Sequence, residues 1–277
     1  MSATLAALLT RAQAAGVARL DAQILAAHCL GRTRAWVIAH DDALLDAATA
    51  DALATLLGRR AGGEPLAYLV GEREFHGLVL TVTPDVLVPR PETELLVDWA
   101  LERLAAWRAR AQAPAVIDLG TGSGAIALAV AHAAPWARVC ASDASVAALA
   151  VARRNAARLA LPLELLAGDW WRPLAGRRFA LALANPPYIA SGDPHLPALA
   201  YEPQCALTSG SDGLDALRQI VAGAPDHLLP GGWLLVEHGF DQGPALHALF
   251  EASGFEAVET RCDLARLPRC TGGRLPG

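Results

Sequence analysis

The most unusual chemistry-bearing stretch of the chain is Asn185-Pro186-Pro187-Tyr188, which follows the apolar run RFALALA. Two successive prolines cannot continue a central strand, because neither has an N–H to donate to a ladder. The corner therefore displays one carboxamide and one phenol on a rigid backbone that offers acceptors and few competing donors. The alternative interpretation is a strand-ending turn with Tyr188 in the core, which gives the carboxamide no purpose.

A glycine-rich loop, GTGSGA, joins the strand pattern AVIDL to a helix pattern. Gly120, Gly122 and Gly124 permit a tight turn and close approach of a ligand to the backbone, with free N–H groups at the helix start. Gly120, Gly122 and Ala125 also satisfy the dinucleotide fingerprint G-x-G-x-x-G/A. The loop alone indicates a nucleoside cofactor, and leaves open whether it is a nicotinamide dinucleotide or another.

Acidic and aromatic residues follow the next two strand patterns. Asp143 ends the second pattern about twenty residues after the loop, where a carboxylate accepts hydrogen bonds from ribose hydroxyls. Asp169 follows the third pattern, and Trp170 and Trp171 offer a flat apolar face to an adenine ring. Open α/β sheets bind ligands at the carboxyl ends of their strands, so we expect these residues to meet there.

The elements that must position these residues alternate from residue 115 onward. The strand patterns are AVIDLG, ARVCASD, PLELLAGD, RFALALA, GGWLLVEHG and FEAVETRCD, with helical patterns between most of them. Such alternation predicts an α/β fold with a doubly wound, mostly parallel sheet and helices on both faces.

The preceding third of the chain has a different pattern. Residues 1 to about 62 show helical periodicity and no strand pattern, which predicts a small bundle of short helices. One predicted helix face consists of Leu20, Ile24, Leu25, His28 and Cys29, and another contains Leu53, Leu56 and Leu57. Residues 73–88 alternate and are rich in Val and Thr, which predicts a hairpin; PRPETE then begins a helix, and AAWRARAQAP is the expected connector.

Composition restricts the class of protein. The chain has 277 residues, 53% of them hydrophobic, and a net charge of -5, which argues against a broad basic face for nucleic acid. Its five cysteines are an odd number and include no C-x-x-C pair, which argues against both a disulfide framework and a zinc site and fits a reducing cytosol. We find no basic signal-peptide start and no apolar run of about 18 residues, so we expect a cytoplasmic protein.

Together these motifs resemble a class I S-adenosylmethionine-dependent methyltransferase, and the N-P-P-Y corner resembles the subset that methylates planar nitrogens. In order, GEREFHGLVL, VLVPRPETELL, VIDLGTGSGAIAL, ANPPYIASGDPHL with YEP, and GGWLLVEHGFDQG resemble the release-factor glutamine methyltransferase family. The likeness covers nearly the whole chain beyond residue 60, and the helical N-terminus fits it too.

The resemblance implies a class I, Rossmann-like sheet of seven strands. It implies a helical substrate-docking domain over residues 1–70, a hairpin and helix linker over 71–113 and the methyltransferase domain over 114–277. The implied reaction moves a methyl group from S-adenosylmethionine, leaving S-adenosylhomocysteine, to N5 of the glutamine in the Gly-Gly-Gln motif of peptide chain release factors. We expect a monomer that binds neither nucleic acid directly nor a membrane.

The corner suits that chemistry, because a carboxamide nitrogen is a poor nucleophile that must be held in line with the methyl group. The Asn185 side-chain oxygen and the Pro186 carbonyl can accept the two N–H groups of the target amide, Pro187 stiffens the corner, and Tyr188 can pack on the amide plane. The candidate cofactor-binding residues are Asp118, Gly120, Thr121, Gly122, Ser123, Gly124, Asp143, Asp169, Trp170 and Asn185.

Three other functions remain open from the residues alone. Glutamine methylation of a ribosomal protein would use the same corner. Adenine-N6 methylation of nucleic acid would also use it, although the acidic net charge and the lack of a Lys/Arg-rich insert count against it. A non-catalytic or NAD-dependent nucleotide-binding module would leave the corner unexplained.

Weaker signals concern single residues. Arg90, Glu92 and Glu94 either order the substrate channel or form a solvated helix start, and we assign His195 and His238 no role. The sequence departs from the family pattern at His76, where an aromatic residue is expected. It departs again at Arg266, where a glycine is usual, which puts the shape of the C-terminal strand pair in doubt.

Overall fold

The computed structural model describes residues 3–108 and 113–277, and the chain divides into two compact units, residues 1–72 and 73–277. The expected connector, residues 105–114, lies partly outside the described residues. No helix in the described ranges is long and apolar enough to cross a membrane. These ranges also contain no group of three or more His, Cys, Asp or Glu side chains that could hold a metal ion.

The first unit is a bundle of short helices, as the sequence predicts. They are α1 (Leu5–Ala14), α2 (Arg19–Leu30), α3 (Arg34–Ala39), α4 (Ala47–Ala61) and α5 (Leu66–Val70). Asp46 caps α4 by accepting a hydrogen bond from Thr49 N at 2.9 Å, and Gly31 ends α2 with a left-handed φ of 58°. The sequence does not predict the two-residue strand pair of β1 (Ala3–Thr4) and β2 (Leu44–Leu45).

The buried face of α2 differs from the predicted one. Ala22, Leu25 and Ala26 are fully buried, whereas Leu20 is 49% exposed and His28 is exposed. Alanine lets neighbouring helices approach closely, but a search for large apolar residues passes over it. The predicted face is therefore wrong at Leu20 and His28 and correct at Leu25.

A hairpin, β3 (Glu72–Phe75) and β4 (Leu78–Thr81), confirms the predicted strand pair over a shorter range. Its two loop residues, His76 and Gly77, have φ values of 49° and 78°. Two positive φ angles define the type I′ turn, whose twist matches that of the flanking strands. A 3₁₀ turn (Pro91–Thr93) then leads into α6 (Glu94–Ala105), where the sequence places a helix start.

The second unit is built on one seven-stranded sheet, which confirms the predicted fold class. Its strands are β5 (Ala115–Leu119), β6 (Arg138–Asp143), β7 (Glu164–Ala167), β8 (Phe179–Ala184), β9 (Leu228–Glu237), β10 (Glu256–Cys262) and β11 (Pro268–Arg274). Its further helices are α7 (Ala125–Ala133), α8 (Val146–Leu159), α9 (Asp215–His227) and α10 (Gly243–Ala252). The spatial order is β10-β11-β9-β8-β5-β6-β7, with β11 antiparallel to both neighbours.

This strand order creates a switch point between β5 and β8. The chain runs outward from β5 to β6 and β7, and then returns to the other side of β5 to form β8 and β9. The loops after β5 and β8 therefore leave the sheet in opposite directions and open a crevice at its carboxyl edge. Both the glycine loop and the N-P-P-Y corner begin there.

The C-terminal strand pair forms despite the residue that puts it in doubt. Arg266 lies in the turn between β10 and β11 with a φ of 63°, a conformation that glycine adopts at lower cost. The Arg266 N–H donates to Asp263 O at 2.9 Å, and the Leu267 N–H donates to the Asp263 carboxylate at 2.9 Å. These bonds hold the turn that the family pattern would build with glycine.

Candidate active site

A cavity of about 330 Å³ lies at the carboxyl edge of the sheet in the second unit. Its wall includes the glycine loop and the segments that follow β6, β7 and β8. The predicted residues in the wall are Gly120, Thr121, Gly122, Ser123, Asp143, Asp169, Trp170, Asn185 and Pro187. The structure thus brings together residues that are spread over 68 positions of the sequence.

The backbone of the glycine loop forms one side of the cavity. Gly120, Gly122 and Gly124 have φ values of 72°, 56° and 85°, so each adopts a conformation that strains other residues. A Cβ on Gly120 would lie 3.1 Å from the Trp170 ring. Gly124 lies outside the cavity wall, and a Cβ there would lie 3.0 Å from Leu128 at the start of α7. Its role is to let the helix begin close to its neighbours.

Asp118 lies beneath the loop and not in the cavity wall. Its Oδ2 accepts hydrogen bonds from the Thr121 hydroxyl at 2.6 Å and from Ala127 N at 3.2 Å. Its Oδ1 is buried and has no hydrogen-bond partner among the described residues. Burial raises the pKa of this carboxyl to about 7, against the lowering effect of the Thr121 hydrogen bond. Asp118 therefore ties the loop to the helix behind it.

Asp143 connects the glycine loop to the next helix. One carboxylate oxygen accepts from Gly122 N and the other from Ser145 N, both at 2.8 Å. Ser145 in turn caps α8 by accepting from Ala148 N at 3.1 Å. Burial raises the pKa of Asp143. With one hydrogen bond on each oxygen, the carboxylate keeps further lone pairs for ligand hydroxyls.

The two tryptophans after β7 occupy different environments. Trp170 lines the cavity and has a left-handed φ of 45°, which points its ring at Gly120. Trp171 is buried outside the cavity wall, where its Nε1 donates to Ile220 O at 2.9 Å and its ring stacks on His227 at 4.8 Å. The expectation that both rings face an adenine is therefore wrong for Trp171, because adjacent residues at this turn point to opposite sides.

The corner divides its residues between the cavity and the interior. Asn185 and Pro187 line the cavity, while Pro186 is buried. The Asn185 Nδ2 donates to the Thr93 hydroxyl at 3.1 Å, which leaves its side-chain oxygen as the free end of the amide. The Tyr188 hydroxyl donates to Glu237 Oε1 at 3.3 Å.

Three functional candidates escaped the sequence search: Thr93, Glu202 and Glu237. All three are buried: Thr93 lines the cavity beside Asn185, and Glu237 lies behind the corner. The Glu202 carboxylate accepts from Val88 N at 3.1 Å and from Arg90 at 2.5 Å. The YEP motif contains Glu202, but nothing local to the motif indicates its partners. Each contact spans about fifty residues or more, so no local pattern shows it.

The weaker candidates have separate positions. Arg90 lines the cavity, Glu92 is exposed, and Glu94 accepts from His76 N at 3.1 Å. His195 is exposed and bonds Asp193 within its own loop. His238 is fully buried between Gly239 O at 2.7 Å and the Thr271 hydroxyl at 2.8 Å, and burial lowers its pKa. Neither histidine lines the cavity, so neither is assigned a role in it.

Comparison with known proteins agrees with this geometry. The PrmC N-terminal domain model matches residues 4–71, and the methyltransferase small domain model matches residues 94–200. A release factor glutamine methyltransferase of Burkholderia pseudomallei is 51% identical over 93% of this chain and 92% of its own length. One of Bordetella pertussis is 51% identical over 94% of this chain and 96% of its own length. The chain belongs to the release factor glutamine methyltransferase family.

Solved structures support the fold of this family member. A 16S rRNA methyltransferase from T. thermophilus, solved with AdoMet and guanosine, superposes with a TM-score of 0.55 at 22% identity, covering 74% of this chain and 49% of that one. A methyltransferase from Pyrococcus furiosus has a TM-score of 0.53 at 17% identity, covering 73% of this chain and 90% of that one. At these identities the likeness concerns the class I methyltransferase fold.

The residues of the cavity fit a methyltransferase's nucleoside cofactor. A glycine-lined backbone at a helix start, a half-buried carboxylate with spare lone pairs and an aromatic ring line one cavity. These groups match, in turn, a close-packed charged tail, a ribose and a purine. The chain is therefore a class I S-adenosylmethionine-dependent methyltransferase.

Proposed function

We propose that this protein transfers a methyl group from S-adenosylmethionine to the side-chain N5 of the glutamine in the Gly-Gly-Gln motif of peptide chain release factors. Family membership supports the substrate. The observation that carries the chemistry is the Asn185 amide, whose nitrogen is engaged by Thr93 and whose oxygen is left to accept at the edge of the cofactor cavity.

The corner orients the target amide. S-adenosylmethionine supplies an electrophilic methyl group on a sulfonium. The Asn185 oxygen would accept one N–H of the target amide and the Pro186 carbonyl would accept the other, which would hold the amide nitrogen at the edge of the cofactor cavity. Both acceptors also stabilise the positive charge that grows on the attacked nitrogen. Pro187 keeps the backbone rigid, and Tyr188, fixed by Glu237, supports the corner from behind.

The cofactor is held by the glycine loop and the acidic residues beside it. We assign the backbone of residues 120–123 to the amino-acid end, Asp143 to the ribose hydroxyls and Trp170 to the adenine face. Asp169 lines the same wall as Trp170. Asp118 and Gly124 act indirectly, because they shape the loop from outside the cavity wall.

The helical N-terminal unit is assigned to docking of the protein substrate. Leu20, Ile38 and Leu44 are 49%, 49% and 74% exposed, which makes apolar side chains available on this unit. Replacing Ile38 and Leu44 by Asp should raise KM for a protein substrate and leave kcat and cofactor affinity unchanged. An unchanged KM would remove the docking role.

The deciding experiment is substrate mapping by mass spectrometry. Purified enzyme is incubated with S-adenosylmethionine and a purified release factor, with a ribosomal-protein mixture and adenine-containing DNA in parallel. One added methyl on the Gly-Gly-Gln glutamine is the expected result. Methylation confined to the ribosomal proteins or to DNA would retain the methyltransferase and replace its substrate. A size-exclusion measurement on the same sample tests the expected monomer.

A further inference from the structure

Arg90 is a cavity residue that the reaction as described leaves without a role. Among the wall residues that the structure describes, it is the one with a cationic side chain. The same wall carries the carboxyl groups of Asp85, Asp143 and Asp169. A guanidinium stays charged at every pH at which proteins are folded. The wall therefore has one cationic point beside several acidic ones, and that point favours an anionic group of a ligand.

The chain places Arg90 on one side of the cavity. Its carbonyl accepts from Thr93 N at 3.1 Å in the turn before α6, and the Thr93 hydroxyl accepts from Asn185 Nδ2 at 3.1 Å. Asn185 follows β8, which borders β5 on the side opposite to β6 and β7. Arg90 therefore belongs to the β8 side of the cavity, whereas Asp143 ends β6 and Trp170 follows β7.

The chemistry of S-adenosylmethionine fits this division. With the ribose assigned to Asp143 and the adenine to Trp170, the β5 and β8 side is left for the amino-acid end. That end carries an ammonium and a carboxylate, next to the sulfonium that holds the methyl group. The acidic groups of the wall suit the two cations. Of the described wall residues, Arg90 alone offers the carboxylate a side chain of opposite charge.

The protein holds the Arg90 guanidinium from one edge. Glu202, whose side chain is 3% exposed, accepts from Arg90 Nη2 with one oxygen and from Val88 N at 3.1 Å with the other. A guanidinium has five N–H groups in a planar fork, so Nε and Nη1 carry donors for a second acceptor. The Arg90 side chain is 34% exposed, so a ligand in the cavity can reach it.

We propose that Arg90 binds the α-carboxylate of S-adenosylmethionine and of its product, and makes the site select ligands that carry this group. The inference rests on the cofactor assignment of the proposed function and not on the identity of the protein substrate. It can therefore be tested without a release factor.

The first test compares two ligands by calorimetry: S-adenosylmethionine and its decarboxylated analogue, which lacks the carboxylate. The wild type should bind S-adenosylmethionine roughly 10- to 100-fold more tightly, the order expected of a charge-assisted hydrogen-bonded pair. Arg90→Gln should lose that factor and bind the analogue within about threefold of the wild type. A preference above about tenfold that persists in Arg90→Gln, or no preference in the wild type, would overturn the inference.

Two further variants separate the ligand contact from the fold. Arg90→Gln leaves the buried Glu202 carboxylate without its cation, which destabilises the protein. Arg90→Gln/Glu202→Gln removes both charges, should show the same loss of preference, and decides the matter if the single variant does not fold. Arg177→Gln is the matched control, because Arg177 pairs with Glu164 at 2.8 Å outside the cavity wall. It should keep the wild-type preference, and its loss there would contradict the assignment to Arg90.

The second test is kinetic, with a release factor as substrate. The carboxylate is present in both the ground state and the transition state, so Arg90→Gln should raise KM for S-adenosylmethionine and leave kcat within about threefold. S-adenosylhomocysteine has the same amino-acid end and should weaken as an inhibitor by the same factor. A loss confined to kcat would overturn the inference.

The two tests distinguish the inference from the proposed function. A wild type that binds neither calorimetric ligand refutes the cofactor assignment and the inference together. A wild type that shows the Arg90-dependent preference but methylates no release factor refutes the proposed substrate and confirms the role of Arg90.

Discussion

At the scale of single residues, the polar groups of the corner are available as hydrogen-bond acceptors and not as donors. The Asn185 nitrogen is occupied by Thr93, and Pro186 and Pro187 have no N–H to offer. We expect a target amide with two N–H groups to meet acceptors at this corner, because the two prolines supply no competing N–H. This is the pattern that selects a donor-rich, neutral carboxamide over a carboxylate, whose lone pairs would be repelled.

Truncating the corner should remove catalysis and spare binding. We expect Asn185→Ala to lower kcat by about 10²-fold or more, because a preorganised contact to developing charge is lost. Cofactor affinity, measured by calorimetry, should fall much less than kcat, although Asn185 is also a candidate cofactor contact. His195→Ala, an exposed position on the loop after the corner, is the control and should keep full activity. Near-normal turnover of Asn185→Ala would exclude the proposed role of the corner.

The ribose contact gives a complementary prediction. Asp143→Asn should weaken S-adenosylmethionine binding by roughly 10- to 100-fold, since hydrogen bonds to a charged acceptor are worth about 1.5–3 kcal/mol. In Asp143→Asn, one of the two oxygens that accept from the Gly122 and Ser145 N–H groups becomes an NH2 group, which can only donate. Calorimetry should show the loss in affinity, with kcat at saturating cofactor largely retained. Unchanged affinity would place the ribose elsewhere.

At the scale of elements, two tight turns contain side chains in left-handed conformations. His76 begins the type I′ turn between β3 and β4, and its Nε2 lies 3.0 Å from Asp98 Oδ1. Arg266 occupies the turn between β10 and β11. Left-handed backbone costs a typical residue about 1–2 kcal/mol, so both turns are held by the strands they connect.

Relieving one of these turns should stabilise the protein. Arg266→Gly is expected to raise the free energy of unfolding by about 0.5–1 kcal/mol, because relief of the left-handed strain exceeds the entropy gained by an unfolded glycine. Ala265→Gly, at the exposed neighbouring position without a positive φ, should lower it by about 0.5–1 kcal/mol. Urea unfolding measures both. A destabilised Arg266→Gly would show that the Arg266 side chain contributes more than its backbone costs.

The elements and the cofactor loop could be predicted from sequence because their signals are local. Gly120 and Gly122 show a turn, and the run after Phe179 shows a strand that ends at Asn185. The features that could not be predicted depend on packing between segments that are distant in the sequence. The pairing of Thr93 with Asn185 spans 92 residues, and the buried side of α2 is set by alanines that match any helix. Trp171 pointed away from the cavity for the same reason, because its partner Ile220 lies 49 residues later.

At the scale of the whole molecule, the second unit contains two buried carboxyls whose pKa values burial raises to about 7, Asp118 and Glu237. Their reference values are 3.8 and 4.5. A group with a raised folded-state pKa stabilises the fold fully below its unfolded pKa, and that contribution is lost as pH rises through the folded value. Carboxyls with lowered pKa values, such as Asp46 and Asp263, act in the opposite sense and lose their contribution only as pH falls below about 4.

Stability should therefore fall between about pH 4 and pH 7. We expect Tm to be higher at pH 5.5 than at pH 8, because both raised carboxyls are largely protonated at the lower pH. Asp118→Asn and Glu237→Gln should each flatten the profile. Differential scanning calorimetry across this range measures the effect, with His195→Ala as a control that keeps the slope. A Tm that rises from pH 5.5 to pH 8 would contradict the burial argument.

The Glu202 carboxylate has a consequence for the order in which the molecule is made. It binds Val88 N and Arg90 across 114 and 112 residues of sequence, and Arg90 lines the cavity. A chain growing on the ribosome carries one side of the cavity long before it carries the other. On the nascent chain, the cofactor site stays incomplete until Glu202 has been synthesised and has left the ribosome. Until then, the helical bundle, whose contacts are local, is the part able to fold.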